Sequence, residues 1–436
     1  MNGLFADTIY APASGVGRFA ITLLRVSGAE ASACLARLVG PLPAPRRAVL
    51  RGIMAPDGSL LDRAMVLWLP GPQTYTGEDS FELHLHGGLA VLTGVEAALL
   101  SLGLRPAEPG EFTRRAFIHG RMDLLEAEAV ADLIAAETSA QRDQALRQLS
   151  GELGGVYRDW QGRLVRILAQ QEALIDFPDE DLPAEVEAGL LAEIVSLMAA
   201  MHQHLKDGDR GERLRRGLVL ALAGVPNVGK SSLVNTLCRR DVAIVSPVPG
   251  TTRDVIEVRL DLSGIPVTLQ DLAGLRETSD PVEVEGVRRA QDRVASADIV
   301  LQVVAPPYDV LPTLDVWVGA RVIKVASKSD LGIPSPEGMV RVSSLTGEGC
   351  DHLVAMLGDV AQSLAGIGET PSLTRARHRA AVNAAAGHLH AALDVSGVEL
   401  RGEELRLALR SLGRILGSVG VEELLDSVFS QFCIGK

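Results

Sequence analysis

At 436 residues and 47% hydrophobic content, the chain is long enough for two or three domains, each with a sizeable buried core. A formal charge of −13 excludes a broad, sequence-independent grip on nucleic acid, and leaves only local basic patches such as Arg213, Arg215 and Arg216 for a confined RNA contact. Four scattered cysteines with no CxxC pair suggest neither a disulfide framework nor a zinc site, and no long apolar run or basic-then-apolar start (Met1 to Ala11) suggests a membrane or export, so a cytoplasmic protein is expected.

From Asp7 to Leu85 short β-rich runs (Ile21 to Arg25, Ala64 to Leu69, Phe81 to Leu85) alternate with Gly/Pro turns, and an apolar helix follows from about Gly88 to Leu102. This predicts a compact α+β domain ending near His119. His84 and His86 share one face of the last strand, but no third metal ligand is evident, so core or cofactor-lining roles are expected. From Asp123 to about Leu205 apolar residues recur at three- and four-residue spacing (Leu124, Ala127, Val130, Ile134), with breaks near Phe177-Pro178 and Pro183. That pattern predicts long paired helices. Around Leu218 the texture changes: apolar strands (Leu218 to Ala223, Val267 to Asp271) lead into polar loops, as in a parallel sheet, and this α/β unit runs to roughly Ala365. After Pro371 helices return (Ala376 to Leu393, Glu403 to Leu416, Val421 to Phe429), so the helical domain is expected in two segments flanking an inserted α/β domain.

Gly224-Val225-Pro226-Asn227-Val228-Gly229-Lys230-Ser231 fits GxxxxGK[ST] and sits between an apolar strand and a helix that includes Ser232. Glycines let backbone N–H groups curl around phosphate, Lys230 bridges the terminal phosphates, and the Ser231 hydroxyl ligates magnesium. Downstream, Pro249-Gly250-Thr251-Thr252-Arg253-Asp254 supplies a threonine for magnesium, with Ser246, Pro247 and Val248 just before it as further candidate nucleotide contacts, and Asp271-Leu272-Ala273-Gly274 a carboxylate and a glycine facing the γ-phosphate. Ser327-Lys328-Ser329-Asp330 stands where guanine readers usually carry Asn-Lys-x-Asp, with Ser343-Ser344-Leu345 as the second base loop. The Asp330 carboxylate accepts from guanine's ring N–H and amine, whereas adenine offers it an acceptor, so GTP is favoured. Ser327 is expected to be too short for the bridge that Asn makes to the P-loop, which predicts tighter nucleotide binding by Ser327→Asn. Leu275 follows Gly274, so the usual water-orienting glutamine is missing. Glu283 lies in an acidic stretch that reads either as a solvated charge run or as a water-orienting group. Asn227 is placed to help ligate a monovalent cation, making potassium a candidate source of the missing positive charge.

Beyond these motifs, Asp7-Thr8-Ile9, Leu24-Arg25-Val26-Ser27-Gly28, Tyr75-Thr76-Gly77-Glu78-Asp79, His86-Gly87-Gly88, Pro109-Gly110-Glu111-Phe112-Thr113-Arg114-Arg115-Ala116-Phe117, Asp123-Leu124 with Glu126 to Val130, and the terminal Phe432-Cys433-Ile434-Gly435-Lys436 make the chain resemble the MnmE (TrmE) family of tRNA-modification GTPases over essentially its whole length. The resemblance implies a multidomain α+β fold: residues 1–119 as an N-terminal folate-binding and dimerisation domain, 120–213 and 371–436 as two segments of a helical domain, and 214–370 as an inserted P-loop G domain. It implies potassium ligands at Asn227, Ser246, Val248 and Thr251, magnesium ligands at Ser231 and Thr252, and a hydrolytic role for Glu283. Contacts to 5-formyltetrahydrofolate fall on Arg25, Glu82, Arg121 and Lys436, where cationic groups suit an anionic cofactor. The implied partners are a second copy of the chain, tRNA, and a flavoprotein (MnmG, or GidA) that carries FAD in a heterotetramer-type complex. The implied outcome is a C5 aminomethyl-type group on the wobble uridine. Cys433 resembles the family's C-terminal cysteine, for which a packed or idle thiol is the alternative to a functional one. A regulatory or ribosome-assembly G protein with the same P-loop is the competing reading; the N-terminal domain and the Phe-Cys-Ile-Gly-Lys ending distinguish the two.

Overall fold

In the computed structural model the described residues are 7–15, 19–176, 184–206, 208–225, 227–240, 242–244, 257–271, 297–308, 319–366, 368, 371–418, 422–430, 432 and 435. They fall into two compact units, residues 1–131 with 413–436, and residues 132–412.

In the first unit, β-branched and apolar residues at alternate positions build β1 (Ile9–Pro12), β2 (Phe19–Ser27), β3 (Ala48–Met54), β4 (Leu60–Leu69), β5 (Ser80–Gly87) and the short β6 (Arg105–Pro106), with α1 (Ala31–Val39) between β2 and β3. The sheet order is β3-β4-β5-β2-β1-β6, antiparallel except for the β1–β6 pair. Alternation places Leu24, Val26, Val66, Trp68, Phe81, Leu83 and Leu85 on one face. They pack with Leu35 and Leu38 of α1 and Val95 and Leu99 of α2 (Leu89–Ser101). The opposite face carries Arg25, Glu82 and His84 among partly exposed neighbours. Next come α3 (Glu111–Ile118) and α4 (Leu124–Ala135). Leu124 and Ala127 of α4 pack with Leu425 and Phe429 of the last helix, which runs over Glu422–Phe429, and with Phe432.

The second unit opens with α5 (Ser139–Leu149), α6 (Glu152–Asp176), α7 (Ala184–Lys206) and α8 (Gly208–Arg216). Helix α5 starts on a capping box in which the Thr138 side chain accepts from the Gln141 amide while the Gln141 side chain reaches back. The chain then becomes a sheet of order β12-β11-β10-β7-β9-β8, built from β7 (Leu218–Ala223), β8 (Glu257–Leu262), β9 (Ile265–Asp271), β10 (Ile299–Val304), β11 (Arg321–Ala326) and β12 (Val340–Arg341). All pairs are parallel except β8 with β9. The parallel strands are near-continuous apolar runs because both faces of such a sheet are covered. Helix α9 (Lys230–Cys238) and α10 (Cys350–Ala365) contribute Leu233, Leu237, Leu353 and Leu357 to its core. Two helices, α11 (Ala376–Asp394) and α12 (Val398–Leu416), follow, and Glu422–Phe429 is α13. Fold class and element types agree with the sequence reading. The elements it did not name include α1, α3, β3, β8, β10 and the short strands β1, β6 and β12, and the few residues of the short strands carry too little periodicity to register.

Candidate functional site

The nucleotide site begins where β7 ends. A Cβ on Gly224 would stand 2.4 Å from the Val303 carbonyl, so only glycine lets the loop leave the sheet this closely. Asn227 (φ 64°) and Gly229 (φ 99°) take left-handed conformations that curl the loop into the first turn of α9. That turn presents backbone N–H groups with no helical partner, the donors suited to phosphate, and Ser231 and Ser232 lie on it with exposed side chains. Val228 is buried and anchors the loop in the core of the sheet. Lys230, 8% exposed, donates from Nζ to the carbonyls of Gly224 (2.6 Å) and Val225 (3.1 Å), which holds its ammonium inside the loop.

The base-reading loops meet this loop directly. Ser327, 3% exposed at the end of β11, faces the carbonyl oxygens of Val228 (2.5 Å) and Val304 (2.9 Å) with its hydroxyl. This corrects the expectation that serine is too short to bridge to the P-loop: the backbones approach closely enough that one hydroxyl closes the gap. Lys328, at φ 59°, donates from Nζ to the Asn227 carbonyl (2.9 Å). Asp330 sits in a 3₁₀ turn, Ser329–Leu331, where its Oδ1 accepts from the Ser343 hydroxyl at 2.6 Å. The Ser343 oxygen in turn accepts from the amides of Leu345 (3.3 Å) and Thr346 (3.2 Å), so both base loops brace one carboxylate. The Thr236 hydroxyl on α9 donates to the Ser232 carbonyl (2.9 Å) and lies 3.4 Å from the Ser344 carbonyl, while the Leu345 side chain is 85% exposed. The close Gly224 turn, the first-turn amides of α9 and the fixed Asp330 fit a guanine nucleotide, with Ser231 available to its magnesium. Sequence reasoning missed the acceptors, the main-chain oxygens of Asn227 and Val228, because backbone groups leave no mark in residue identity.

Asp271 closes β9 beside Leu222 of β7, which places its backbone on the strand adjoining the P-loop strand. Its side chain, and Ser246, Pro247, Val248, Pro249, Gly250, Thr251, Thr252, Leu272, Ala273, Gly274, Glu283, Cys433 and Lys436, lie outside the described residues.

The basic patch is corrected. Arg216 pairs with Asp298 (2.8 Å), Arg213 reaches the same carboxylate (3.4 Å), and Arg215 donates to the Thr374 carbonyl (2.9 Å). Asp298, almost wholly buried, also accepts from the Val219 amide (3.0 Å), so Arg213 and Arg216 clasp the start of β7 and β10 while Arg215 is held at Thr374, and the three are paired groups instead of a set of free cations.

In the first unit Arg25 and Glu82 pair across β2 and β5, with Nε and Nη2 of Arg25 both on Glu82 Oε1 (3.0 and 2.9 Å). Arg121 lies against Gly77: a Cβ there would stand 3.4 Å from the Arg121 Cγ. The pair offers both a donor and an acceptor edge, and Arg121 an exposed cation, which suits a polar, anionic ligand such as a tetrahydrofolate. His86 is hydrogen-bonded through Nδ1 to Asp62 (2.8 Å), and His84 Nε2 stands 3.9 Å from Glu82. Among the described residues no group of three or more His, Cys, Asp or Glu could hold a metal, and no helix is long and apolar enough to cross a membrane.

Two family models match the chain: GTP-binding protein TrmE N-terminus over residues 8–121 and MnmE helical domain over residues 124–433. A protein of Gluconacetobacter diazotrophicus named tRNA modification GTPase MnmE is 56% identical over 433 residues, covering 98% of each chain. Proteins of the same name from Granulibacter bethesdensis and Rhodospirillum rubrum are 52% and 50% identical, each over 99% of both chains. With more than half of its residues inside a family model and relatives this similar over full length, the chain belongs to the MnmE (TrmE) family.

Proposed function

We propose that the chain is a GTP hydrolase whose turnover serves tRNA modification. The observation that carries the GTP half is the direct tie between base reader and P-loop, Ser327 to Val228 and Lys328 to Asn227, with Asp330 held by Ser343. Family membership and the names of its full-length relatives support the tRNA half.

In this reading Lys230 neutralises the terminal phosphates, Ser231 and Thr252 hold magnesium, and Asp330 selects guanine. Magnesium supplies charge neutralisation at the transferred phosphate. Asn227, Ser246, Val248 and Thr251 hold potassium, whose charge stands in for an arginine finger, and Glu283 orients the water. Two copies of the chain act together with a flavoprotein partner of the MnmG type, which brings FAD, to place a carboxymethylaminomethyl-type group on C5 of the wobble uridine. A tetrahydrofolate sits on Arg25, Glu82, Arg121 and Lys436. The place of work is the cytoplasm. The domain limits proposed are 1–119, 120–213, 214–370 and 371–436.

The test is mass spectrometry of tRNA nucleosides from cells lacking the protein, complemented with wild type or Glu283→Ala, alongside single-turnover GTP hydrolysis in potassium and in sodium. Loss of the C5-modified uridine, rescued by wild type alone, is the expected result. An unchanged nucleoside profile would move the reading to an assembly switch, and equal rates in the two salts would remove potassium.

A further inference from the structure

The signature Tyr75-Thr76-Gly77-Glu78-Asp79 plays no part in nucleotide chemistry, yet it is among the most heavily bonded segments of the first unit. Beneath it lies Arg115, with no exposed surface. Arg115 donates to the Asp7 carbonyl (2.9 Å) and carboxylate (2.8 Å), to both Glu78 carboxylate oxygens (3.1 and 3.3 Å) and to Glu111 (2.9 Å). The Ser27 hydroxyl donates to Glu78 (2.7 Å) and lies 2.7 Å from the Thr76 hydroxyl, and Asp79 accepts from the Gly71 amide (2.8 Å). None of these groups can shift alone without leaving a buried charge or polar atom unpaired, so the loop is held as a unit.

At one end of the loop the Tyr75 hydroxyl is hydrogen-bonded to Thr113 on α3 (2.8 Å), and its ring lies 5.6 Å from the Arg25 guanidinium carbon. The Phe112 ring stands 6.0 Å from the same carbon. Both distances fall where an aromatic face attracts a guanidinium. Three groups therefore orient Arg25: Glu82 along its edge and two rings over its plane. At the other end Gly77 (φ 84°) leaves room that a Cβ would take, 3.2 Å from the His119 Cβ and 3.4 Å from the Arg121 Cγ. His119 is fixed by its Nδ1 contact to the Thr76 carbonyl (2.7 Å).

We infer that Tyr75 and Gly77 are positioning residues for the folate site: one rigid loop, locked by Arg115, sets the orientation of Arg25 and the seat of Arg121 for the anionic ligand. This rests on the folate reading of Arg25, Glu82 and Arg121. A merely structural role for Tyr75 would make its loss a matter of stability; a positioning role makes it a matter of affinity.

The experiment is calorimetric titration of the full chain with 5-formyltetrahydrofolate, paired with thermal unfolding, for wild type, Arg25→Ala, Tyr75→Phe, Tyr75→Leu and Gly77→Ala. Tyr75→Phe keeps the ring over Arg25 and is expected within about twofold of wild type, whereas Tyr75→Leu binds about 3- to 30-fold more weakly at a melting temperature close to that of Tyr75→Phe, which loses the same hydrogen bond to buried Thr113. Tyr75 is 36% exposed, so leucine is accommodated there. Gly77→Ala, which crowds Arg121, also weakens binding. If Arg25→Ala loses binding while Tyr75→Leu and Gly77→Ala bind as wild type does, the positioning role is overturned and the folate site stands. If wild type does not bind, or Arg25→Ala binds equally well, the folate reading fails and takes this inference with it.

Discussion

Replacing Ser327 with alanine removes a hydroxyl that lies between two carbonyl oxygens in a site 3% exposed. The Val304 oxygen keeps its bond from the Ser327 amide (2.8 Å), but Val228 in the P-loop loses its donor from the base loop. A neutral hydrogen bond contributes about 0.5–1.5 kcal/mol net, and stranding a buried acceptor costs about 1–3 kcal/mol. Part of that cost falls on the free protein as well, so about 1–2 kcal/mol should appear in nucleotide binding, a weakening of roughly 5- to 30-fold. Asparagine has the opposite problem. Its amide brings two donors for two carbonyls, but its extra atoms must enter a gap already closed to 2.5 Å, and overpacking costs about 1–3 kcal/mol. The tighter binding expected of Ser327→Asn from sequence is therefore replaced by binding no tighter than wild type. Stopped-flow dissociation of a fluorescent GDP analogue measures both variants without interference from hydrolysis. A Ser327→Ala protein within twofold of wild type, or an Asn variant that holds GDP more tightly, would refute the reasoning.

Three other outcomes are expected. Asp330→Asn exchanges a carboxylate acceptor for an amide; GTP affinity should fall at least about 100-fold, and xanthosine triphosphate, with an oxygen in place of guanine's amine, should bind better than GTP in competition assays. Asp298→Ala removes the acceptor shared by the Val219 amide, Arg213 and Arg216; because those arginines are 30–43% exposed and screened, the loss should be about 1–3 kcal/mol, seen as a lower urea midpoint that Asp298→Asn partly restores. At Glu111 burial pushes the carboxyl up, but hydrogen bonds from Arg105, the Glu108 amide and Arg115 outweigh it and hold the group below its ordinary value. A depressed folded-state value means that this stabilisation is present in full above the unfolded value of about 4.3 and is lost as pH falls through the folded one. Acid unfolding followed by circular dichroism should therefore steepen below about pH 4, and Glu111→Gln should be less stable at neutral pH with a shallower acid limb.

What the sequence determined by itself is whatever depends on neighbours along the chain. Gly224 to Ser231 names a phosphate loop because its glycines, lysine and serine act within one turn. The apolar run at Leu218 to Ala223 names a buried strand, since continuous hydrophobicity has no other use between polar loops. Tertiary structure decided everything that joins residues far apart. Whether Ser327 reaches Val228, 99 positions away, depends on how closely β7 and β11, with β10 between them, bring two loops together, a matter of ångströms that residue type does not encode. The arginines of α8 read as a cationic patch until Asp298, 82 positions from Arg216, is folded against them. Arg115 passes as an ordinary surface charge in a helix, and only closure of the sheet on Asp7, 108 positions earlier, makes it a fully buried clamp. Local pattern sets the backbone and the type of chemistry; which charges are paired and which remain for a ligand follows from packing, because a hydrogen bond is made by whichever partner the fold carries to within about 3 Å.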